Sequence, residues 1–129
     1  MEKAERTMEI LEFINRVVDE GIAAAKEDYS APKDEDKLNG ALEGFELCRN
    51  KVPHEIEVLL MQARETTRQA HMRGADNYWK IRCREAEIEW VANCVSAVLH
   101  NQGLPTIISP TVRGYLKAAS IVGVREGSF

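Results

Sequence analysis

Glu9 with Glu12, and Glu43 with Glu46, are pairs of carboxylates three residues apart, a separation that brings two side chains to one side of a helix. Pointed together into a bundle, such groups could hold a divalent cation, which takes hard oxygen ligands. Whether they converge depends on the apolar residues around them. In the first segment Ile10, Leu11, Ile14, Val17, Val18, Gly21, Ile22, Ala25 and Tyr29 gather in one stripe, and Glu9, Glu12, Arg16, Asp19 and Glu20 fall opposite. In the second, Leu38, Ala41, Leu42, Phe45, Cys48 and Val52 share a side from which Glu43 and Glu46 project away. The glutamates are therefore expected to stay hydrated, with no metal site and no bound cofactor.

The spacing is similar to that on the helices of all-α metal-dependent nucleotide pyrophosphatases and of di-iron bundles, where the pairs point inward. That resemblance implies a helical hydrolase of nucleotides as one alternative. The chain departs from those patterns in having no Glu-x-x-His and no Glu-x-x-Asp. Cys48 with His54 and Cys94 with His100 stand six residues apart, neither of the helical spacings that join ligands, and no Cys-x2-Cys occurs, so zinc is not expected. A phosphate-binding glycine loop and a Gly-x-Ser-x-Gly elbow are also missing.

Glu85 is a different case. It falls between Ile81 and Ile88 within an apolar stripe, where an unpaired charge is strongly unfavourable. A buried partner is expected for it, from Arg49, Arg64, Arg68 or a residue of a second chain.

A second candidate chemistry is recognition. Arg64, Arg68, Arg73, Lys80, Arg82 and Arg84 are interleaved with His71, Tyr78 and Trp79, and cations beside aromatics can hold single-stranded nucleic acid by phosphate contact and base stacking. Glu65, Asp76, Glu87 and Glu89 dilute that stretch. Trp79 and Trp90 lie off the main apolar stripe, together with parts of Val91, Cys94 and Val98, so the segment is apolar on more than one side. A helix of that kind is either central in a bundle or paired with another copy. Tyr78, Trp79, Arg82 and Trp90 are accordingly the expected partner-binding residues, since aromatics and arginine are favoured at protein interfaces.

The elements that must position these residues are helices. Residues 53–102 contain one glycine, Gly74, and no proline after Pro53, and Ile56, Leu60, Ala63, Thr67, Ala70, Gly74, Tyr78, Ile81, Glu85, Ile88, Ala92, Val95 and Leu99 recur at steps of three and four. This predicts a long helix or a helical hairpin. The break at Gly74 is the preferred form, because Arg73-Gly74-Ala75-Asp76-Asn77 offers a C-terminal glycine and then an N-capping aspartate. Before it, helices are expected from about Glu2 to Tyr29, ended by Ser30-Ala31-Pro32, and from the acidic Asp34-Glu35-Asp36 to about Asn50. After it, Thr106-Ile107-Ile108 reads as an apolar loop, Ser109-Pro110 opens a short helix with Val112, Tyr115, Leu116 and Ala119 inward, and 124–129 reads as a flexible tail.

Composition sets the frame. With 129 residues, 44% apolar and 29% charged, the chain suits one all-helical domain over 1–129 with its own core. The three cysteines and the charged start MEKAERTMEILEF point to a reducing, cytoplasmic setting without a signal peptide. No apolar run is long enough to span a membrane. The net charge of −4 divides unevenly: residues 1–62 carry 15 acidic and 8 basic side chains, residues 63–129 carry 6 and 9, an asymmetry that could steer a charged partner or a second copy. The expected protein is an all-α bundle of four to five helices. It acts without catalysis by binding another macromolecule (an adaptor, inhibitor or assembly factor) as a homodimer, and nucleic-acid binding is the alternative.

Overall fold

The computed structural model describes residues 2–101, with side chains from 9 to 100, and the described chain is all-α. Helix α1 spans Glu2–Asp28, α2 Glu35–Cys48, α3 Pro53–Met72 and α4 Tyr78–Asn101, with a 3₁₀ turn at Pro32–Asp34 before α2. The expected loop at 106–108, the helix opening at Ser109-Pro110 and the tail lie outside the described residues.

Local chemistry accounts for the boundaries. Pro32 opens the 3₁₀ turn, and Glu35 and Asp36 occupy the first turn of α2, where negative charge meets the positive end of the helix dipole. Pro53 sits in the first turn of α3, and the Glu55 carboxylate accepts a hydrogen bond from the Val52 N–H at 3.0 Å. Residues 53–101 form two helices. The Ala75 N–H donates to the Ala70 carbonyl at 3.0 Å, and Gly74 holds φ +61°, the left-handed conformation that ends many helices.

The expected stripes face the core. Ile14, Val17, Val18 and Ala25 of α1 are buried, as are Ala41, Phe45 and Cys48 of α2, and Ile56, Leu60, Ala63, Thr67 and Ala70 of α3. In α4 Ile88 and every residue from Trp90 to Ala97 are buried, together with Leu99. This helix packs against all three others, most extensively against α2 and then α3, while α2 and α3 barely touch. The order across the molecule is thus α1, α2, α4, α3, with α4 central. From Ile88 to Leu99 its apolar sides, read from the sequence as a possible contact with another copy, are largely buried by its own chain, whereas Trp79 near its start is exposed.

Two glycines bring α2 and α4 together. A Cβ on Gly40 would stand 2.1 Å from the Lys80 carbonyl oxygen, and one on Gly44 would stand 2.6 Å from that of Arg84. The helices cross backbone against backbone. The ascending pairs Lys37 with Trp79, Glu43 with Arg84 and Phe45 with Trp90 show that they run in the same direction. Gly21 of α1 has an equivalent role toward side chains, since a Cβ there would lie 2.2 Å from the Phe45 ring and 2.7 Å from the Trp90 ring.

Asn15 and Asn50 tie α1 to the link between α2 and α3. Asn50 has φ +61°, a conformation asparagine tolerates better than most residues. Its N–H donates to Asn15 Oδ1 at 2.9 Å, and Asn15 Nδ2 donates back to Asn50 Oδ1 at 2.8 Å. Asn15→Ala removes both bonds and is expected to lower unfolding free energy by about 1–2 kcal/mol. Urea denaturation measures this, and a change within error of zero would show that water replaces the pair without loss.

Candidate interaction surface

The sequence-selected residues separate into three places. Trp90 is in the core. The residue is 9% exposed, and its ring meets Phe45 edge-on at 5.6 Å. It is therefore corrected from a partner-binding residue to a core residue. The side of α4 that lies off the main stripe faces α2, because Gly40 and Gly44 allow a close approach the apolar pattern did not signal.

Tyr78, Trp79 and Arg82 form the first turn and a half of α4, at the end of the molecule beside the Gly74 turn. Trp79 is 58% exposed. Its ring is held from two sides, by the Tyr78 ring at 5.2 Å and by the Lys37 ammonium of α2 at 5.4 Å from its centroid. His71 at the end of α3 extends the row, with its ring 5.6 Å from Tyr78. Arg82 lies one turn beyond Trp79, its guanidinium 3.3 Å from the Glu85 carboxylate. Lys37 was not anticipated, and its signal lay in the parallel crossing of α2 and α4 rather than in its own neighbours.

Glu85 also takes a different partner from those expected. Its side chain is 12% exposed and pairs with Arg82 on its own helix. The first half of α4 is half-buried rather than central, so a carboxylate there reaches the rim and finds the cation one turn back.

The basic stretch does not assemble one cationic face. Arg68 pairs with Glu65, Arg82 with Glu85, and Arg84 with Glu43 across the α2–α4 crossing at 2.9 Å. Lys80 lies with its backbone against Gly40, and Arg64 and Arg73 are exposed on α3 and just after it. Glu43 is thus corrected from a residue projecting away to one that meets α4.

Of the remaining carboxylates, Glu9 and Glu12 are exposed on α1. Glu46 accepts a hydrogen bond from Arg49 at 2.9 Å, which holds its carboxyl below the usual range, while Arg49 also reaches Asp19 at 2.8 Å. Among the described residues no group of three or more His, Cys, Asp or Glu side chains is placed to hold a metal ion. His54 and His100 are exposed, while Cys48 and Cys94, their sequence neighbours, are buried.

Burial pushes the Cys48 thiol up to about 12 and raises that of Cys83 as well. A nucleophilic cysteine needs the thiolate, so alkylation of Cys48 and Cys83 in native buffer is expected to be slow and to become rapid in denaturant. Mass spectrometry of iodoacetamide-treated protein checks this. Native-state labelling of Cys48 at the rate of a free thiol would contradict its burial.

These features define an all-α protein with an aromatic and cationic corner at the start of its central helix. No helix among the described residues is long and apolar enough to cross a membrane. The chain matches no protein-family model, no curated protein and no solved structure.

Proposed function

We propose that this chain is a small non-enzymatic binding protein, an adaptor, inhibitor or assembly factor, that works as a homodimer and engages a protein partner through Tyr78, Trp79, Lys37 and Arg82. One observation carries the reading. A tryptophan more than half exposed is held in place by a second aromatic ring and a cation rather than left to rotate freely. Amphipathic anchors fixed in advance lose little conformational freedom on binding, and tryptophan, tyrosine and arginine dominate interface energetics. The pairing of Arg68, Arg82 and Arg84 with carboxylates favours a protein over a polyphosphate, because a guanidinium already matched to a carboxylate has less to offer a phosphate.

Affinity capture from the native host, run in parallel with the Trp79→Ala variant, tests the surface. Trp79 lies outside the core, so that variant is expected to keep its circular dichroism and to lose the partner. A partner retained in full would remove this corner from consideration. Salt-sensitive retention on heparin that disappears in an Arg82→Ala, Arg84→Ala variant would replace the protein partner with nucleic acid. Divalent-dependent nucleotide turnover abolished by Glu46→Gln would overturn the non-enzymatic reading.

A further inference from the structure

Helix α3 carries two stripes. One, Ile56, Leu60, Ala63, Thr67 and Ala70, is buried. The other runs along the opposite side through His54, Val58, Met61, Glu65, Arg68 and Met72, at steps of four, three, four, three and four. That is the spacing of a coiled-coil seam. Met61 is 63% exposed, Met72 72% and Val58 38%, so three of the five large exposed apolar side chains of the described chain lie in this one line. Between the methionines sit one acid and one base, Glu65 and Arg68, paired within the helix, and the Arg68 guanidinium also reaches Met72 Sδ at 3.1 Å.

We infer that this outer seam of α3 is the contact between two copies of the chain, laid antiparallel about a two-fold axis passing between Thr66 and Thr67. The inference rests on the homodimer in the reading above and names its contact surface. In an isologous contact, if residue i meets residue j then j meets i. Centred between Thr66 and Thr67, the two-fold sets Met61 opposite Met72 of the second copy and Glu65 opposite Arg68 of the second copy. Each layer then joins the two alternating positions of the heptad, as antiparallel packing requires. The four central charges close into a ring of alternating sign, with a methionine pair at either end. A parallel arrangement would set Glu65 on Glu65 and Arg68 on Arg68, where like charges repel. The charge order therefore selects the direction, and methionine suits a contact that forms and dissolves because its unbranched chain adapts to the surface it meets. Residues 61–72 cover roughly 16 Å of helix at 1.5 Å per residue. A seam of that length alone is smaller than the roughly 800 Å² per partner of a standard interface, so the dimer dissociates on dilution.

Sedimentation of the full chain across a dilution series tests this. Mass is expected to rise from one 14.5 kDa chain toward two with concentration. Glu65→Lys puts four cations into the contact and Arg68→Glu four anions, and each variant alone is expected to associate roughly a hundredfold more weakly. An equimolar mixture of the two is expected to recover the dimer, which also shows that each remains folded. Direction is read by disulfide formation. Met61→Cys mixed with Met72→Cys is expected to cross-link, and Met61→Cys alone is not. A mass of one chain at every concentration overturns both the seam and the homodimer, while leaving the Trp79 surface untouched. A dimer indifferent to Glu65→Lys overturns the seam alone, and efficient cross-linking of Met61→Cys by itself overturns the antiparallel direction.

Discussion

Gly40→Ala is expected to destabilise the protein by about 2–3 kcal/mol, although the same exchange in an isolated helix favours folding by roughly 1 kcal/mol. The sign reverses because of what the new methyl group would meet. Its position lies 2.1 Å from the Lys80 carbonyl oxygen, and that atom belongs to the backbone of the central helix, which cannot swing aside as a long side chain could. Relief requires α2 and α4 to separate. Separation would loosen Ala41, Phe45 and Cys48 from Ile88 and Val91, all of them in the buried core. Gly44→Ala is expected to have a smaller effect in the same direction, since its nearest approach is 2.6 Å. The two changes together should cost less than their sum, because either one opens the same crossing. Gly74→Ala is the control. Nothing lies within 4 Å of a Cβ there, and its φ of +61° alone is unfavourable, so about 1 kcal/mol is expected. Urea midpoints at unchanged m value measure all three. A Gly40→Ala protein as stable as the parent would mean that the helices do not cross at this distance.

The other large effect is expected at Phe45. This side chain is 1% exposed, stands edge-on to Trp90 and fills the space left by Gly21. Phe45→Ala removes a ring from the junction of α1, α2 and α4 and is expected to lower stability by about 3–5 kcal/mol. Domains of this size have only about 5–15 kcal/mol in hand, so much of the population could unfold on mild warming. Phe45→Leu keeps most of the volume and is expected to fall well short of that loss. Tryptophan fluorescence offers a direct readout, because Trp90 is buried and Trp79 is largely solvated. In a Trp79→Phe background the remaining emission should shift to longer wavelength on unfolding, at a lower urea concentration once Phe45 is removed. A Phe45→Ala variant with an unaltered midpoint would remove this junction from the list of elements that hold the fold.

Much of the architecture was legible along the chain. The inward faces of α1 and α3 follow from the recurrence of Ile14, Val17 and Val18 and of Ile56, Leu60, Ala63, Thr67 and Ala70, each buried where its spacing put it. The break near Gly74 followed from a glycine that can adopt positive φ without penalty. The α2–α4 crossing was not found, although Gly40 and Gly44, four residues apart, were its visible sign. Attention to apolar residues alone treats a glycine as an absence. In a helix it is also the place where another backbone can come nearest.

The candidate site was only half legible. Trp79 and Trp90 looked equivalent in sequence, since each lay off the main stripe of the same helix. Their difference comes from α2, which ends beside the middle of α4 and covers Trp90 with Phe45, whereas at Trp79 it sets the Lys37 ammonium over a ring that stays exposed. Glu43 and Glu85 show the same limit. Their partners, Arg84 on another helix and Arg82 one turn back, depend on how deeply that part of α4 sits in the bundle.

By itself the sequence determined that the chain is helical, roughly where its breaks fall and which side of α1 and α3 turns inward, because caps, breakers and apolar periodicity act through atoms a few residues apart. The tertiary structure alone decided which helix lies beside which, and so which tryptophan is sheltered and which carboxylate meets which cation. Those outcomes join groups far apart along the chain, as Phe45 and Trp90 are, and they follow only once close packing has brought such groups into contact.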